Sequence, residues 1–267
     1  MNGCTGHGGL GIEPFIVAHR GASREAPENT IPSFTLAWEQ GADAIEGDFH
    51  LTRDGQIVCI HDRDTKRLTG KKKAIKDCSL EELKSLDVGS WFGEIFKGTR
   101  IPTLSEVFST MPQGKGVFIE IKCGPEILTR LLEEIRISKV RWEDVVVISF
   151  NRKVIHELKV IAPHLKALWI SNFRRGKDGR FAPSIAWVLK VLRMTHADGF
   201  SSFADAMVDG PFVAALRERG YGCHVWTIDD LNTAKRFLGY GVASITTNAP
   251  GYLKRNLITQ QDVVCER

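Results

Sequence analysis

Short apolar runs rich in β-branched residues alternate along the chain with longer stretches whose apolar positions recur at helical spacing. The alternation repeats in strand-then-helix order, the pattern of an α/β fold. Strands are predicted at residues 15–19, 44–49, 117–122, 145–149, 165–171, 198–201, 222–227 and 242–246. Helices are predicted at 30–40, 103–111, 125–137, 151–161, 183–194, 211–219, 229–238 and 250–256, several opening on a proline in the first turn or on Asp or Asn near a cap. Eight such units describe a TIM (β/α)8 barrel. Segment 57–100 breaks the rhythm, with the return arm of a hairpin, a basic loop, a short helix around Leu80 to Leu86 and the pair Trp91-Phe92. Residues 62–100 within it read as a small insertion after the second strand, capping the barrel mouth.

The chemistry gathers where predicted strands end. The first strand runs into His19-Arg20-Gly21, an imidazole and a guanidinium at a strand tip. In Ala44-Ile45-Glu46-Gly47-Asp48-Phe49, alternation puts Glu46 and Asp48 on one face and Ile45 and Phe49 on the other. Two carboxylates a strand repeat apart repel unless a cation lies between them. Asp54-Gly55 is a two-residue hairpin signal; with Arg53 opposite Gln56, pairing counts back to Asp48 opposite His61. In Val117-Phe118-Ile119-Glu120-Ile121-Lys122, Glu120 and Lys122 share one face and the branched apolar residues the other. Taken singly, a histidine at a strand end is usually structural and an alternating charged strand usually half solvated. A buried parallel strand wants both faces apolar, however, and unpartnered ionisable groups there cost several kcal/mol each. Their coincidence at four strand ends points to a site, and active sites of this architecture lie at that end.

With 267 residues, 43% of them hydrophobic, the chain has the size of one such barrel, and residues 1–267 are read as a single domain. A net charge of +4 is too small and dispersed to point to nucleic acid, and Lys71-Lys72-Lys73 reads as a solvated loop. Met1 to Gly11 lacks the basic start and apolar centre of a signal peptide, and no stretch reaches membrane-span length. The cysteines at 4, 59, 78, 123, 223 and 265 show no C-x-x-C pairing and read as reduced thiols. A soluble cytoplasmic protein without stable membrane insertion is therefore expected; oligomeric state is left open.

Eight short stretches, in order, carry a family resemblance: His19-Arg20-Gly21-Ala22, Pro27-Glu28-Asn29-Thr30, Ile45-Glu46-Gly47-Asp48, Thr52-Arg53-Asp54-Gly55, His61-Asp62, Ile101-Pro102-Thr103-Leu104, Ile119-Glu120-Ile121-Lys122 and Trp226-Thr227. Through them the sequence resembles the glycerophosphodiester phosphodiesterases, TIM-barrel enzymes, and the resemblance runs through most of the chain. It implies hydrolysis of glycerophosphodiesters, such as glycerophosphocholine or glycerophosphoethanolamine, to glycerol 3-phosphate and an alcohol. Glu46, Asp48 and Glu120 form an all-oxygen set that suits one divalent ion, Mg²⁺, Ca²⁺ or Mn²⁺. His19 and His61 are the expected acid and base, either able to take either part. Arg20 and Lys122 would attract the charge that grows on the phosphoryl group. Attack by the neighbouring glycerol hydroxyl, through a cyclic phosphate, is an alternative to direct hydrolysis.

Trp226 is the expected apolar wall for the glycerol carbons, with Phe150 a weaker candidate, whereas Trp91 and Phe92 are expected to pack the insertion down. Glu28, Asn29 and Thr30 read as loop and helix-cap residues outside direct contact with the reaction. Two stretches depart from the family pattern. Thr247-Asn248-Ala249-Pro250 has an amide where the family commonly has an acid, and Thr65-Lys66-Arg67-Leu68-Thr69-Gly70 is altered after His61-Asp62. Competing readings are a lysophospholipase D-like enzyme, a glycoside hydrolase and a non-catalytic barrel binding phosphorylated ligands. The first needs an exposed apolar groove that the sequence does not locate. The second needs neither histidines nor metal. The third sits poorly with intact His19, His61, Glu46, Asp48 and Glu120.

Overall fold

The structure, a computed structural model, describes residues 15–176 and 181–262. Met1 to Gly11, Cys4 and Cys265 lie outside the described residues. Eight parallel strands close on themselves: β1 (Ile16–His19), β2 (Ala44–Leu51), β4 (Gly116–Ile121), β5 (Val145–Ser149), β6 (Lys166–Ile170), β9 (Gly199–Phe203), β10 (Gly222–Trp226) and β11 (Ser244–Thr247), with β1 bonded to both β2 and β11. The helices outside this ring are α1 (Ile31–Glu39), α4 (Leu104–Ser109), α5 (Leu128–Ile137), α6 (Arg152–Ile161), α7 (Ile185–Thr195), α8 (Gly210–Arg217), α9 (Leu231–Tyr240) and α10 (Pro250–Asp262). The expected barrel is thus formed. Thr30, Thr103, Asn151, Asp209 and Asp230 accept from backbone amides of the first turns of their helices, satisfying donors that a helix leaves open.

Alternation sorts the side chains. Ile45, Phe49, Val117, Ile119 and Ile121 point outward into the layer shared with the helices. Val17, Ala44, Phe118, Ile148, Leu168 and Ile170 fill the smaller interior cluster. Each of the fully buried Val, Leu, Ile and Phe side chains contributes about 1.5–3 kcal/mol relative to exposure. Glu46, Asp48 and Glu120 continue the inward face above Ala44 and Phe118, so polarity begins where the apolar interior ends.

The hairpin differs from the expected register. Its return arm β3 (Ile57–Cys59) pairs Leu51 with Ile57 and Phe49 with Cys59, so Asp48 lies opposite Ile60 rather than His61. The loop is Arg53-Asp54-Gly55, closed by Thr52 and Gln56, with Gly55 at φ +74° donating to Thr52 O. An Asp-Gly pair therefore sits in the longer loop, whose last residue is left-handed, rather than in a two-residue turn. His61 follows β3 directly and still falls within Coulombic reach of Asp48.

The insertion holds α2 (Lys66–Thr69) and α3 (Leu80–Lys84) around its own core of Val58, Ile60, Leu68, Ile75, Leu83, Val88 and Ile101. Asp54 accepts from Leu80 N and Arg53 donates to Asp77 O, fixing the hairpin tip to this unit. Trp91 packs edge-on against Phe92 and donates to Val88 O, with its ring partly exposed. Unanticipated was a two-stranded ribbon, β7 (Arg174–Arg175) with β8 (Phe181–Ala182), between β6 and α7.

Behind the first strand tip, Gly21 sits at φ +84°, where an added Cβ would lie 2.5 Å from Ser33 C and Oγ. Gly21→Ala is expected to cost about 1–3 kcal/mol, measured as a lower Tm, and to displace Arg20, measured as lost activity.

Candidate active site

The turn after β1 is built from two left-handed residues, Arg20 at φ 56° and Gly21, and it returns the chain so that Asn29 N donates to Arg20 O. Ser33 Oγ, in the first turn of α1, also donates to Arg20 O. This geometry presents Arg20 N to Glu46 Oε2 at 3.0 Å and Arg20 Nε to Asp48 Oδ2 at 3.1 Å. Thr30 caps α1 as expected, but Glu28 and Asn29 belong to the site. Asn29 Nδ2 donates to Asp48 Oδ2 at 2.8 Å and Asp48 N donates back to Asn29 Oδ1, while Glu28 Oε1 accepts from Arg20 Nη1. The left-handed turn folds the loop over β2, so both residues touch the side chains that form the site.

Strand register brings the acids together: His19 pairs with Glu46, and Asp48 with Glu120. Oxygens of Glu46, Asp48 and Glu120 lie within 4.8 Å of one another. Burial and the neighbouring Asp48 and Glu120 push Glu46 well above the ordinary carboxylate range. Burial and Asp48 raise Glu120 to about 7, against the pull of Lys122. Asp48 goes the other way: against its burial, Arg20, Lys122 and His61 hold it at about 2. Lys122 Nζ lies 2.7 Å from Glu120 Oε1 and 3.3 Å from Asp48 Oδ1. Glu46 Oε1 is buried without a hydrogen-bond partner. Hard oxygen donors, a buried oxygen with nothing to bind, and carboxylates raised by one another fit a divalent cation.

The two histidines hold different partners. His19 Nδ1 lies 2.7 Å from Asn248 Oδ1. Asn248 Nδ2 donates to Asp229 Oδ2 and Asn248 N to Asp229 Oδ1, so the amide oxygen is the end facing the ring. It accepts the Nδ1 proton and leaves Nε2 with the free lone pair. The amide therefore keeps a contact with His19 at this position, oriented by Asp229. Burial and Arg20 lower the pKa of His19, against the hydrogen bond it donates to Asn248. His61 Nδ1 lies 2.7 Å from a true carboxylate, Asp62 Oδ1.

Asp62 in turn accepts from Arg67 Nε at 2.6 Å, and Arg67 grips Glu28 through both terminal nitrogens at 3.1 and 2.7 Å. A continuous run of opposite charges thus leads from His61 through Asp62, Arg67, Glu28 and Arg20 to Asp48. Against their burial, Arg67 and Arg20 hold Glu28 low, and Arg67 and His61 hold Asp62 low. Arg67 comes from the altered stretch of the insertion, at the position where the family pattern also has an arginine. Sequence reasoning gave no site contact to Glu28, Asn29, Asp62, Arg67, Asp229 or Asn248; the stretches Pro27-Glu28-Asn29-Thr30 and His61-Asp62 and the two departures carried signals for all but Asp229.

An open groove of about 1190 Å³ begins at His61, Glu120 and Lys122 and runs past Cys123 to Phe150 and Asn151. Trp226 ends β10 at the same rim of the barrel, and its ring meets Phe150 at 6.2 Å and Phe203 at 5.8 Å, both edge-on. Arg20, Lys122 and the three acids are in mutual contact. The ring contacts of Trp226 are instead aromatic.

Residues 19–252 match the model of the glycerophosphoryl diester phosphodiesterase family. A glycerophosphodiester phosphodiesterase of Caldanaerobacter subterraneus subsp. tengcongensis is 36% identical over 244 residues, covering 90% of this chain and 96% of that protein. Among solved structures, an Oleispira antarctica phosphodiesterase in complex with the product sn-glycerol-3-phosphate superposes with a TM-score of 0.82 at 28% identity, covering 91% of this chain and 96% of its own. A glycerophosphodiester phosphodiesterase of Agrobacterium tumefaciens does so with a TM-score of 0.75 at 28% identity, covering 91% and 99%. With the family model reaching from His19 past Asn248 and so including every site residue, this chain is an enzyme belonging to the glycerophosphoryl diester phosphodiesterase family.

Proposed function

We propose that the enzyme hydrolyses glycerophosphodiesters, such as glycerophosphocholine or glycerophosphoethanolamine, to glycerol 3-phosphate and the free alcohol. The observation that carries this reading is the buried, unpartnered Glu46 Oε1 inside a cluster of three carboxylates at the barrel rim. The product held by the Oleispira antarctica relative supports the choice of product. Glu46, Asp48 and Glu120 would hold one Mg²⁺, Ca²⁺ or Mn²⁺ ion. Such an ion supplies a Lewis acid for phosphoryl oxygens. Arg20 and Lys122 lie against the same carboxylates, and they would attract the transition state more than the ground state because charge grows on the phosphoryl group.

His19, with its pKa lowered and Nε2 unprotonated, suits the base that takes a proton from the nucleophile. His61, tied to the Asp62 carboxylate, takes the complementary part and gives a proton to the leaving oxygen. Trp226 and Phe150 form the apolar wall for the glycerol carbons. Residues 1–267 are taken as one domain, with 62–100 capping the mouth, and the cytoplasm as its place of action, on the sequence argument. No helix among the described residues is long and apolar enough to cross a membrane.

A panel of metals against glycerophosphodiesters, scored for glycerol 3-phosphate release, tests the reading; intact substrate with every metal would revive the non-catalytic barrel. His19→Ala and His61→Ala are each expected to lower kcat by about 10²–10⁴-fold while metal affinity, read by calorimetry, persists. Glu120→Ala should lose both.

The raised carboxylates also tie metal binding to pH. In the metal-free protein, Glu120 binds its proton more tightly than in the unfolded chain, so its contribution to stability falls as pH rises from the ordinary value of 4.5 through about 7. A divalent cation must displace that proton. Its effect on Tm is therefore expected to be small near pH 4.5 and to grow through about 7, in thermal melts with and without chelator.

A further inference from the structure

His50 continues the inward row of β2 that carries Glu46 and Asp48, two residues further along the strand. It lies outside the acid cluster, yet it is only 5% exposed, and polar atoms are rarely buried without a partner. Its ring lines the open groove beside His61, Glu120 and Lys122. Nε2 lies 3.3 Å from the main-chain oxygen of His61. A carbonyl oxygen only accepts, so Nε2 carries the proton in this contact.

That contact falls where the sheet stops holding the chain. β3 ends at Cys59, and the backbone rung nearest to His61 runs from Ile60 N to Asp48 O. His61 then starts the loop into the insertion, with its side chain 33% exposed. Asp62 fixes the ring through Nδ1 at 2.7 Å, but the ionic run behind Asp62 reaches the barrel frame only through successive side chains. His50 makes the tie in one step. The oxygen it holds belongs to the peptide joining His61 to Asp62, the imidazole to the carboxylate that grips it. Imidazole, carboxylate and acid cluster are thereby referred to one rigid support, β2. A displacement of about 1 Å at a reacting group can cost 10²-fold in rate.

We infer that His50 is a positioning residue for the reaction, orienting the peptide between His61 and Asp62 so that the His61 imidazole meets the leaving oxygen. The inference rests on the part proposed above for His61. As the nucleophile bonds to phosphorus and passes its proton to His19, the P–O bond to the alcohol breaks and His61 gives its ring proton to the departing oxygen. No electrons are exchanged, and His50 itself gives and takes no proton. Its effect therefore scales with how much the leaving oxygen needs a proton. An alkoxide such as that of choline needs one, whereas p-nitrophenolate leaves without.

The test measures release of glycerol 3-phosphate from glycerophosphocholine and from the p-nitrophenyl ester of glycerol 3-phosphate, with each divalent metal supplied. His50→Leu fills the space without a donor, His50→Asn shortens the reach, and the amide nitrogen of His50→Gln falls where Nε2 stands. The ratio of kcat on the choline ester to kcat on the nitrophenyl ester is read from one preparation, so it does not depend on how much of that preparation is folded. This ratio is expected to fall about 10–10²-fold in His50→Leu and His50→Asn, with KM for the choline ester little changed, and to recover in His50→Gln. A ratio unchanged in the Leu and Asn variants, beside a fall in His61→Ala, would overturn the role of His50 alone. So would a Gln variant as impaired as Leu. A ratio unchanged in His61→Ala would instead overturn the part assigned to His61, and no release from either ester by the wild type would overturn the function itself.

Discussion

Burial of three carboxylates at one end of a parallel barrel is the constraint around which the rest of this site is arranged. Strand pairing leaves Glu46, Asp48 and Glu120 no freedom to separate, since the register that closes the barrel also sets their spacing. Like charges so placed in a dry interior must bind protons, cations or both. The chain supplies part of the compensation itself through Arg20, Lys122 and the Asn29 amide, all directed at Asp48. The pKa of Asp48 is consequently held low, while those of Glu46 and Glu120 stay raised. The balance is left incomplete by design of the sequence, and Glu46 Oε1 is the atom on which the deficit falls.

In the proposed reaction the histidines would extend the same asymmetry to proton transfer. One is backed by a neutral amide and the other by a carboxylate, although both engage their partner through Nδ1 at 2.7 Å. Equal distances with unequal partners differentiate two chemically identical side chains, which a reaction needing both an acid and a base requires.

Much of this was legible in the sequence, because the informative signals are local. Alternation along a single strand put Glu46 and Asp48 on one face and Glu120 and Lys122 on another, and the closed barrel required only that those faces meet. Signals that depend on loop geometry were less legible. The register after β2 slipped by one residue because Asp54-Gly55 serves two loop lengths, and only the left-handed Gly55 within a longer loop distinguishes them. Glu28 and Asn29 looked like entry residues to a helix because nothing local announces that Arg20 turns left-handed. The bond between Asn248 and Asp229 joins two loops and has no local pattern to reveal it. The open groove was hidden for a related reason: its walls come from elements remote from one another in sequence, and exposure is not encoded in residue type.

The ionic run from His61 to Asp48 has a bearing on how this architecture can diversify. It joins the root of the insertion to the barrel frame through charges carried by Asp62, Arg67, Glu28 and Arg20, while the neighbouring Ile60 and Leu68 anchor that root in the hydrophobic core of the insertion. Registration of His61 is thereby uncoupled from whatever residues face outward on that lobe. Its outer surface is free to drift and remodel the entrance, generation after generation, without dislodging the imidazole that its first residues keep in place.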